Sequence, residues 1–279
     1  GIVSVTDSNK TKEALMSIKL VALDMDGTLM APDHLTVTDR TRRAIAAAHE
    51  KGTEFTIATG RTMAIIGDVC EQVPQINYII HSNGAAVFDR RQNKFIYTNL
   101  MEWSFAEKIV DFLEANTVFY EIYVDGKSYA NPDKAQYFVS DFLPKEFLDE
   151  LAERMEIHRD IKKHIAGKDV EKITFYCPDD ETFHEMWSRF SRIDGIDLAS
   201  SLPGTMEMTK KGVTKGVALE NLCKIIGASP AETMSFGDAG NDCPMLEYAD
   251  YSFAMENGTD ECKASAKYIA PSNAEDGVA

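Results

Sequence analysis

Residues Ile18-Lys19-Leu20-Val21-Ala22-Leu23-Asp24-Met25-Asp26-Gly27-Thr28 constrain the fold more than any other stretch of the chain. A short apolar run reads as a buried strand, and it ends in two carboxylates two residues apart, followed by Gly-Thr. Side chains alternate along a strand, so Asp24 and Asp26 share a face as far as strand geometry persists. Gly27 lets the chain turn away sharply. Carboxylates at the end of a buried strand are costly to hold unless a cation or a reaction uses them. Open α/β sheets place their active sites at such strand ends.

The segments that follow keep to one grammar. Thr38 to His49 reads as a helix capped by Thr38 or Asp39, with Ala44, Ile45 and Ala48 on one face and Gly52 after its end. Phe55 to Ala58 reads as a strand, and a further helix leads to strand Ile76 to Ile80. Strands alternating with helices make a parallel sheet covered on both faces. After Asn83-Gly84 the texture changes. Ala85 to Phe88 and Phe95 to Tyr97 read as a hairpin, and Ser104 to Ala115 as a helix. Val118 to Val124 and Lys127 to Ala130 are strands joined by the turn Asp125-Gly126. Lys172 to Tyr176, Ile196 to Ala199 and Thr205 to Met208 add strands, and Glu181 to Phe190 a helix. The α/β alternation then resumes with helix Lys215 to Ile226 and strands Thr233 to Phe236, Tyr251 to Ala254 and Tyr268 to Ala270. The fold class is therefore α/β: a doubly wound, Rossmann-like parallel-sheet core, residues 18–84 and 203–279, interrupted by an inserted α+β domain, residues 85–202. Residues 1–17 read as a leader or expression remnant, and one more helix is expected after Gly277.

Bulk properties exclude several partners. The formal net charge of −16 argues against a nucleic-acid backbone, whose binding needs clustered Lys and Arg, and against anionic membranes. It permits a small anionic substrate, because a divalent cation reverses the local field. No apolar run approaches the ~18 residues of a membrane span. Five widely spaced cysteines without a Cys-x-x-Cys pair suit a reducing cytoplasm, small buried side chains and no zinc site.

Three further segments carry chemistry, each beside a strand end or helix start. In Ile57-Ala58-Thr59-Gly60-Arg61, a hydroxyl can donate to a phosphoryl oxygen and Gly60 allows close approach of an amide. In Lys210-Lys211-Gly212-Val213-Thr214-Lys215-Gly216, Lys215 stands where a helix N-terminus adds positive charge. Phe236-Gly237-Asp238-Ala239-Gly240-Asn241-Asp242 again sets acids after a strand. Together with Asp-x-Asp-Gly-Thr at 24–28, these segments resemble the four motifs of the haloacid dehalogenase superfamily of phosphohydrolases. The stretch between Thr28 and Thr38 is too short for a cap domain, and the large insertion falls between the second and third segments. With Ser82-Asn83-Gly84-Ala85 and Met255-Glu256-Asn257-Gly258, that placement resembles the superfamily's Cof-like branch.

The resemblance implies a cytoplasmic, magnesium-dependent phosphatase that hydrolyses small phosphomonoesters, such as sugar phosphates, through an aspartyl-phosphate. Asp24 is then the nucleophile, Asp26 the general acid and base, and Lys215 the cation that neutralises Asp24 and the phosphate. Phosphate binding falls to Met25, Thr59, Gly60, Lys215 and Asn241. Asp24, Asp26, Asp238 and Asp242 surround Mg2+, with Asp238 a direct ligand; an all-oxygen site suits that ion. The insert closes over the site and selects the substrate. The implied partner is a small phosphorylated metabolite, bound by a monomer or small homo-oligomer. A phosphomutase of the same superfamily and a non-catalytic phosphometabolite-binding regulator are the alternatives. Asp26 speaks against the regulator, since a binder needs no second acid. A receiver domain lacks the insertion and the late Gly-Asp-x-x-Asn-Asp segment, and a P-type pump carries Thr in place of Asp26 and needs membrane spans. Arg61 pairs with phosphate or with an acidic loop. His34, in the loop after the first motif, reads as a surface residue, and His81 follows a strand, a position from which a side chain can line the site. Phe119, Tyr120 and Tyr123 pack the insert, with alternate side chains able to face the substrate; Trp103 and Trp187 are packing residues.

Overall fold

Strand β1 (Leu20–Leu23) is buried along its whole length. Val21 and Leu23 enter one core and Leu20 and Ala22 another, as a strand covered on both faces requires. Helix α1 (Asp39–Glu50) begins where the Thr38 hydroxyl accepts the Thr41 amide, and β2 (Glu54–Ala58) follows. The single helix expected next is replaced by a turn at Met63–Ile65 and the one-turn α2 (Val69–Gln72). One amide there is spent on a distant partner, Ala64 N–H donating to the Gly126 carbonyl at 2.8 Å. Then come β3 (Ile76–His81), β4 (Ala86–Asp89), β5 (Lys94–Thr98), α3 (Trp103–Glu114), β6 (Phe119–Val124) and β7 (Lys127–Ala130). They are followed by α4 (Lys145–Arg154), β8 (Glu156–Ile157), α5 (Ile161–Ile165), β9 (Lys172–Tyr176), α6 (Asp180–Phe190), β10 (Ile196–Ala199) and β11 (Thr205–Lys210). The chain closes with α7 (Lys215–Ile226), β12 (Thr233–Gly237), α8 (Cys243–Tyr248), β13 (Tyr251–Met255), α9 (Asp260–Ser265) and β14 (Tyr268–Ala270). This computed structural model describes residues 18–138 and 143–279; the leader assigned to residues 1–17 lies outside them.

Two sheets result. The first has eight strands in the order β14-β13-β12-β1-β2-β3-β4-β5. Its pairings are parallel from β14 to β3 and antiparallel from β3 to β5. The second has six strands in the order β10-β11-β9-β6-β7-β8. Its apolar face is closed by α3 and α6 through Ala106, Ile109, Val110, Leu113 and Phe190 against Ile122, Ile173, Phe175, Met206 and Met208. No helix among the described residues is long and apolar enough to cross a membrane.

The domain boundaries read from sequence need correction. The hairpin β4–β5 was assigned to the insert (85–202), yet it extends the first sheet. The texture change after Gly84 marks a switch from parallel to antiparallel pairing within one sheet. At the far end β11 was assigned to the core (203–279), but it pairs with β9 and β10 in the second sheet. The chain rejoins the core only at α7.

From β1 the chain runs outward through β2 and β3, and it returns to the other side of β1 as β12. The switch in direction lies between β1 and β12, and a crevice opens there at their carboxyl ends. The turn after β3 closes one side of it. Ser82, Asn83 and Gly84 take φ values of 51°, 58° and 104°, all left-handed. A Cβ on Gly84 would overlap the Thr214 carbonyl at the start of α7. We expect Gly84→Ala to cost about 3 kcal/mol, from backbone strain and overpacking together. Urea denaturation checks this; an unchanged midpoint would show that the turn and α7 can separate freely.

Candidate active site

Past Leu23 the strand geometry does not persist. Residues 24–30 wind into a wide turn in which the Asp24 and Met25 carbonyls accept the Leu29 and Met30 amides, at 3.1 and 2.9 Å. Gly27 makes the turn possible with φ of 79°, and a Cβ there would strike the Asp238 carboxylate. Thr28 Oγ1 donates to Asp238 Oδ1 at 3.0 Å, and Asn257 Nδ2 to the Gly27 carbonyl at 2.9 Å. The first, fourth and Met-Glu-Asn-Gly segments are thereby tied together. The Met25 side chain goes into the core, so Met25 offers the crevice only its backbone.

Lys215, the first residue of α7, is wholly buried. Its Nζ donates to Asp24 Oδ1 at 2.9 Å and to Asp242 Oδ1 at 2.7 Å. Asp242 Oδ2 accepts the amides of Asp238 and Ala239 at 3.0 and 3.1 Å. Carboxylate oxygens of Asp24, Asp238 and Asp242 lie within 4.8 Å of one another. Burial pushes all three carboxyls up. Asp24 rises well above the usual range despite Lys215, helped by the charge of Asp238. Burial and Asp242 take Asp238 to about 6, and burial and Asp24 take Asp242 to about 7. Burial alone would lower Lys215, but its two carboxylate partners outweigh it and raise it. Three carboxylates against one ammonium leave excess negative charge in a dry place, and oxygen ligands of that kind fit a divalent cation such as Mg2+. Since both Asp242 oxygens are already engaged, Asp24 and Asp238 are the acids best placed to hold one.

The fourth expected metal residue is not brought into this group. The Asp26 carboxylate turns to Arg61, whose Nε donates to Oδ2 at 2.9 Å and whose Nη2 bonds Oδ1, and to His34 Nδ1 at 2.9 Å. The reason is the wide turn, which breaks the two-residue alternation. Burial would raise Asp26, but Arg61 and His34 outweigh it and hold the carboxyl far below its ordinary value. His34, read from sequence as a surface residue, is thus an Asp26 partner, and it stacks on Phe147 of α4 with ring centroids 5.0 Å apart. Arg61 takes the acidic-loop option and lies 4.6 Å from the same ring's centroid. His81 is buried beside Ser82 and Glu171 and does not line the cavity.

Thr59, at the end of β2, accepts the Arg61 amide at 3.0 Å, which leaves its own proton available. Asn241 Nδ2 donates to Asn83 Oδ1 at 3.2 Å, and its buried Oδ1 has no partner among the described residues. Asp24, Asp26, Gly60, Arg61, Asp238 and Asn241 surround a cavity of about 140 Å³ whose roof is the second sheet and α4. Two adjacent residues fasten that roof to the floor. Glu171 accepts from the Thr62 and Ser82 hydroxyls, both at 2.7 Å, and from the Gly126 amide at 2.7 Å. Lys172 Nζ donates to the Gly60 carbonyl at 2.5 Å and to Glu207 Oε1 at 2.8 Å. Sequence reasoning missed Glu171, Lys172 and Glu207. The signal was present in the alternation Lys172-Ile173-Thr174-Phe175-Tyr176, which gives β9 one polar face.

Asp238 and Asp242 bind a proton more tightly folded than unfolded. The metal-free protein therefore loses stability as pH rises from about 4 through their folded values near 6 and 7. Asp26 acts oppositely: its contribution is present above about pH 4 and fades as pH falls below that. In chelator, the thermal midpoint should fall by roughly 2–6 °C between pH 5 and 8. Magnesium should restore it and Asp242→Asn should flatten the fall. A midpoint that climbs with pH over this range contradicts the placement of these acids.

A family model described as haloacid dehalogenase-like hydrolase matches residues 21–279. A Streptococcus pyogenes serotype M6 relative is 32% identical over 277 residues, covering 95% of this chain and 97% of its own. The 5-amino-6-(5-phospho-D-ribitylamino)uracil phosphatase of Bacillus subtilis is 29% identical over 270 residues, covering 95% and 94%. Among solved structures, a HAD subclass IIB sugar phosphatase superposes with a TM-score of 0.78 at 27% identity, covering 93% of this chain and 95% of that one. A haloacid dehalogenase-like hydrolase from B. subtilis superposes at 0.83 over 94% and 97%; at 23% identity it speaks to the fold alone.

Proposed function

The chain belongs to the haloacid dehalogenase-like hydrolase family, and on that footing we propose that it is a magnesium-dependent phosphatase of small phosphomonoesters working through an aspartyl-phosphate on Asp24. The observation that carries this reading is Asp24 itself. It stands at the switch between β1 and β12, held on one oxygen by a buried ammonium and open to a cavity. A carboxylate so placed can attack phosphorus in line. Relatives named for a ribitylaminouracil phosphate and for sugar phosphates support small organic phosphates as the substrate class.

On this reading each residue at the crevice has a role. Lys215 offsets the charge of Asp24 as the phosphate approaches, and the start of α7 adds its partial positive charge. Thr59 donates its hydroxyl proton to a phosphoryl oxygen, and the amides of Met25 and Gly60 approach the others. Asn241 orients the phosphate while Asn83 holds its amide. Asp24 and Asp238 would hold Mg2+, with Asp242 fixing Lys215 and the loop behind them. When bound, the ion supplies charge neutralisation for the phosphoryl oxygens. Asp26 rests ionised against Arg61 and His34. A phosphate dianion competes for the Arg61 guanidinium; Asp26, freed from that ion pair, takes a proton from solvent water and passes it to the leaving oxygen, returning to the carboxylate. In the second step it serves as base toward the hydrolytic water.

Phosphate release from p-nitrophenyl phosphate and a panel of sugar phosphates, with magnesium and with chelator, tests the reading. Asp24→Asn should abolish turnover in a protein that still melts cooperatively; normal hydrolysis by that variant would remove Asp24 as nucleophile. Asp26→Ala should slow phosphoenzyme formation or breakdown by about 10²-fold or more. An unaltered rate would strip Asp26 of its acid–base role.

A further inference from the structure

The roof of the cavity carries polar groups that the phosphoryl chemistry does not use. Alternation along β6, β9 and β11 sends Ile122, Ile173, Phe175, Met206 and Met208 into the apolar core of the second sheet. The opposite face presents Glu121, Tyr123, Lys172, Thr174, Tyr176 and Glu207 to the cavity. Strand register sets Thr174 opposite Glu121 on one side and opposite Glu207 on the other. Two carboxylates therefore flank one threonine on neighbouring strands, each pair about 5 Å apart.

Their partners do not suffice. Lys172 answers Glu207 Oε1 and spends a second bond on the Gly60 carbonyl. The Tyr123 hydroxyl donates to Glu121 Oε2 at 3.1 Å. Glu207 Oε2 and Thr174 Oγ1 then have no partner among the described residues, although Glu207 is only 3% exposed and Thr174 only 6%. Two carboxylates against one ammonium also leave this face one charge in deficit. A buried acceptor without a donor is destabilising unless a ligand supplies the donor. A hydroxyl would satisfy the bond and leave the charge. An ammonium answers both, and the rings of Tyr123 and Tyr176 give it the aromatic walls that cations favour. Lys172 already uses one of them, with Nζ 4.9 Å from the Tyr123 centroid.

We propose that Glu207, with Thr174 and Glu121, forms a leaving-group subsite that selects phosphomonoesters whose alcohol carries a protonated amino group. The inference rests on the phosphatase reading, which seats the phosphate at Asp24. The test compares kcat/KM for ethanolamine phosphate against ethylene glycol monophosphate, and for an amino-sugar phosphate against the matching sugar phosphate. We expect the amino member to be favoured by about tenfold or more in each pair. Glu207→Gln keeps the size and removes the charge, and it should bring the ratio close to one. Glu121→Gln, which touches no catalytic loop, should reduce the ratio in the same direction. Equal rates within the pairs, or a preference untouched by both variants, would overturn the proposal. Calorimetry of the same pairs on Asp24→Asn reads the preference without turnover. A preference there without any hydrolysis of p-nitrophenyl phosphate by the parent protein would defeat the phosphatase reading and leave the subsite standing. Hydrolysis of p-nitrophenyl phosphate with no preference in either measurement would do the reverse.

Discussion

A single ammonium, that of Lys215, sets the terms for the rest of the molecule. It is fully buried, and such a charge is tolerated only where carboxylates surround it closely. Asp24 lies 191 residues earlier in the chain, and Asp242 lies on the loop after β12. Meeting both obliges the returning C-terminal half to stack directly beside β1. The parallel pairing of β1 with β12 supplies that adjacency. Once it is made, the ends of two buried strands and the start of a helix converge, and the acids no longer need to be explained one at a time.

The local elements were largely legible in the sequence because local chemistry decides them. Helix Lys215–Ile226 is bounded by its Thr214 cap and by Gly227 in the left-handed conformation. Strands Lys172–Tyr176 and Ile196–Ala199 stand where alternation put them. What could not be read was partnership. The hairpin at 86–98 has the same sequence character whether it joins the first sheet or the second, and only pairing with β3 assigns it. The boundary drawn between residues 202 and 203 likewise separated β11 from the strands it pairs with.

At the site, Asp24, Lys215, Asp238 and Asp242 form one cluster and Asn241 and Gly60 line the cavity beside it, while Thr59 is buried next to Gly60. Asp26 departs because the two-residue period that linked it to Asp24 ends at the last strand residue, and a wide turn then aims it at Arg61. His34 was set aside because nothing near it in sequence points to Asp26; the loop brings it back. The polar roof was visible as an alternation, but a period of two says only that a strand has two faces. It does not say which face meets the crevice.

The bond from Lys172 to the Gly60 carbonyl bears on the history of such a chain. A roof that merely rested on the floor would be free to diversify, each new lining tried without disturbing the reaction below. Here one ammonium belongs to both. It is half of the lining's charge balance and it also steadies the loop that bears Thr59. Substitution at Lys172 or Glu207 therefore reaches the chemistry as well as the choice of guest. A change in the charge balance of the roof is thus felt at the floor through one main-chain carbonyl, that of Gly60.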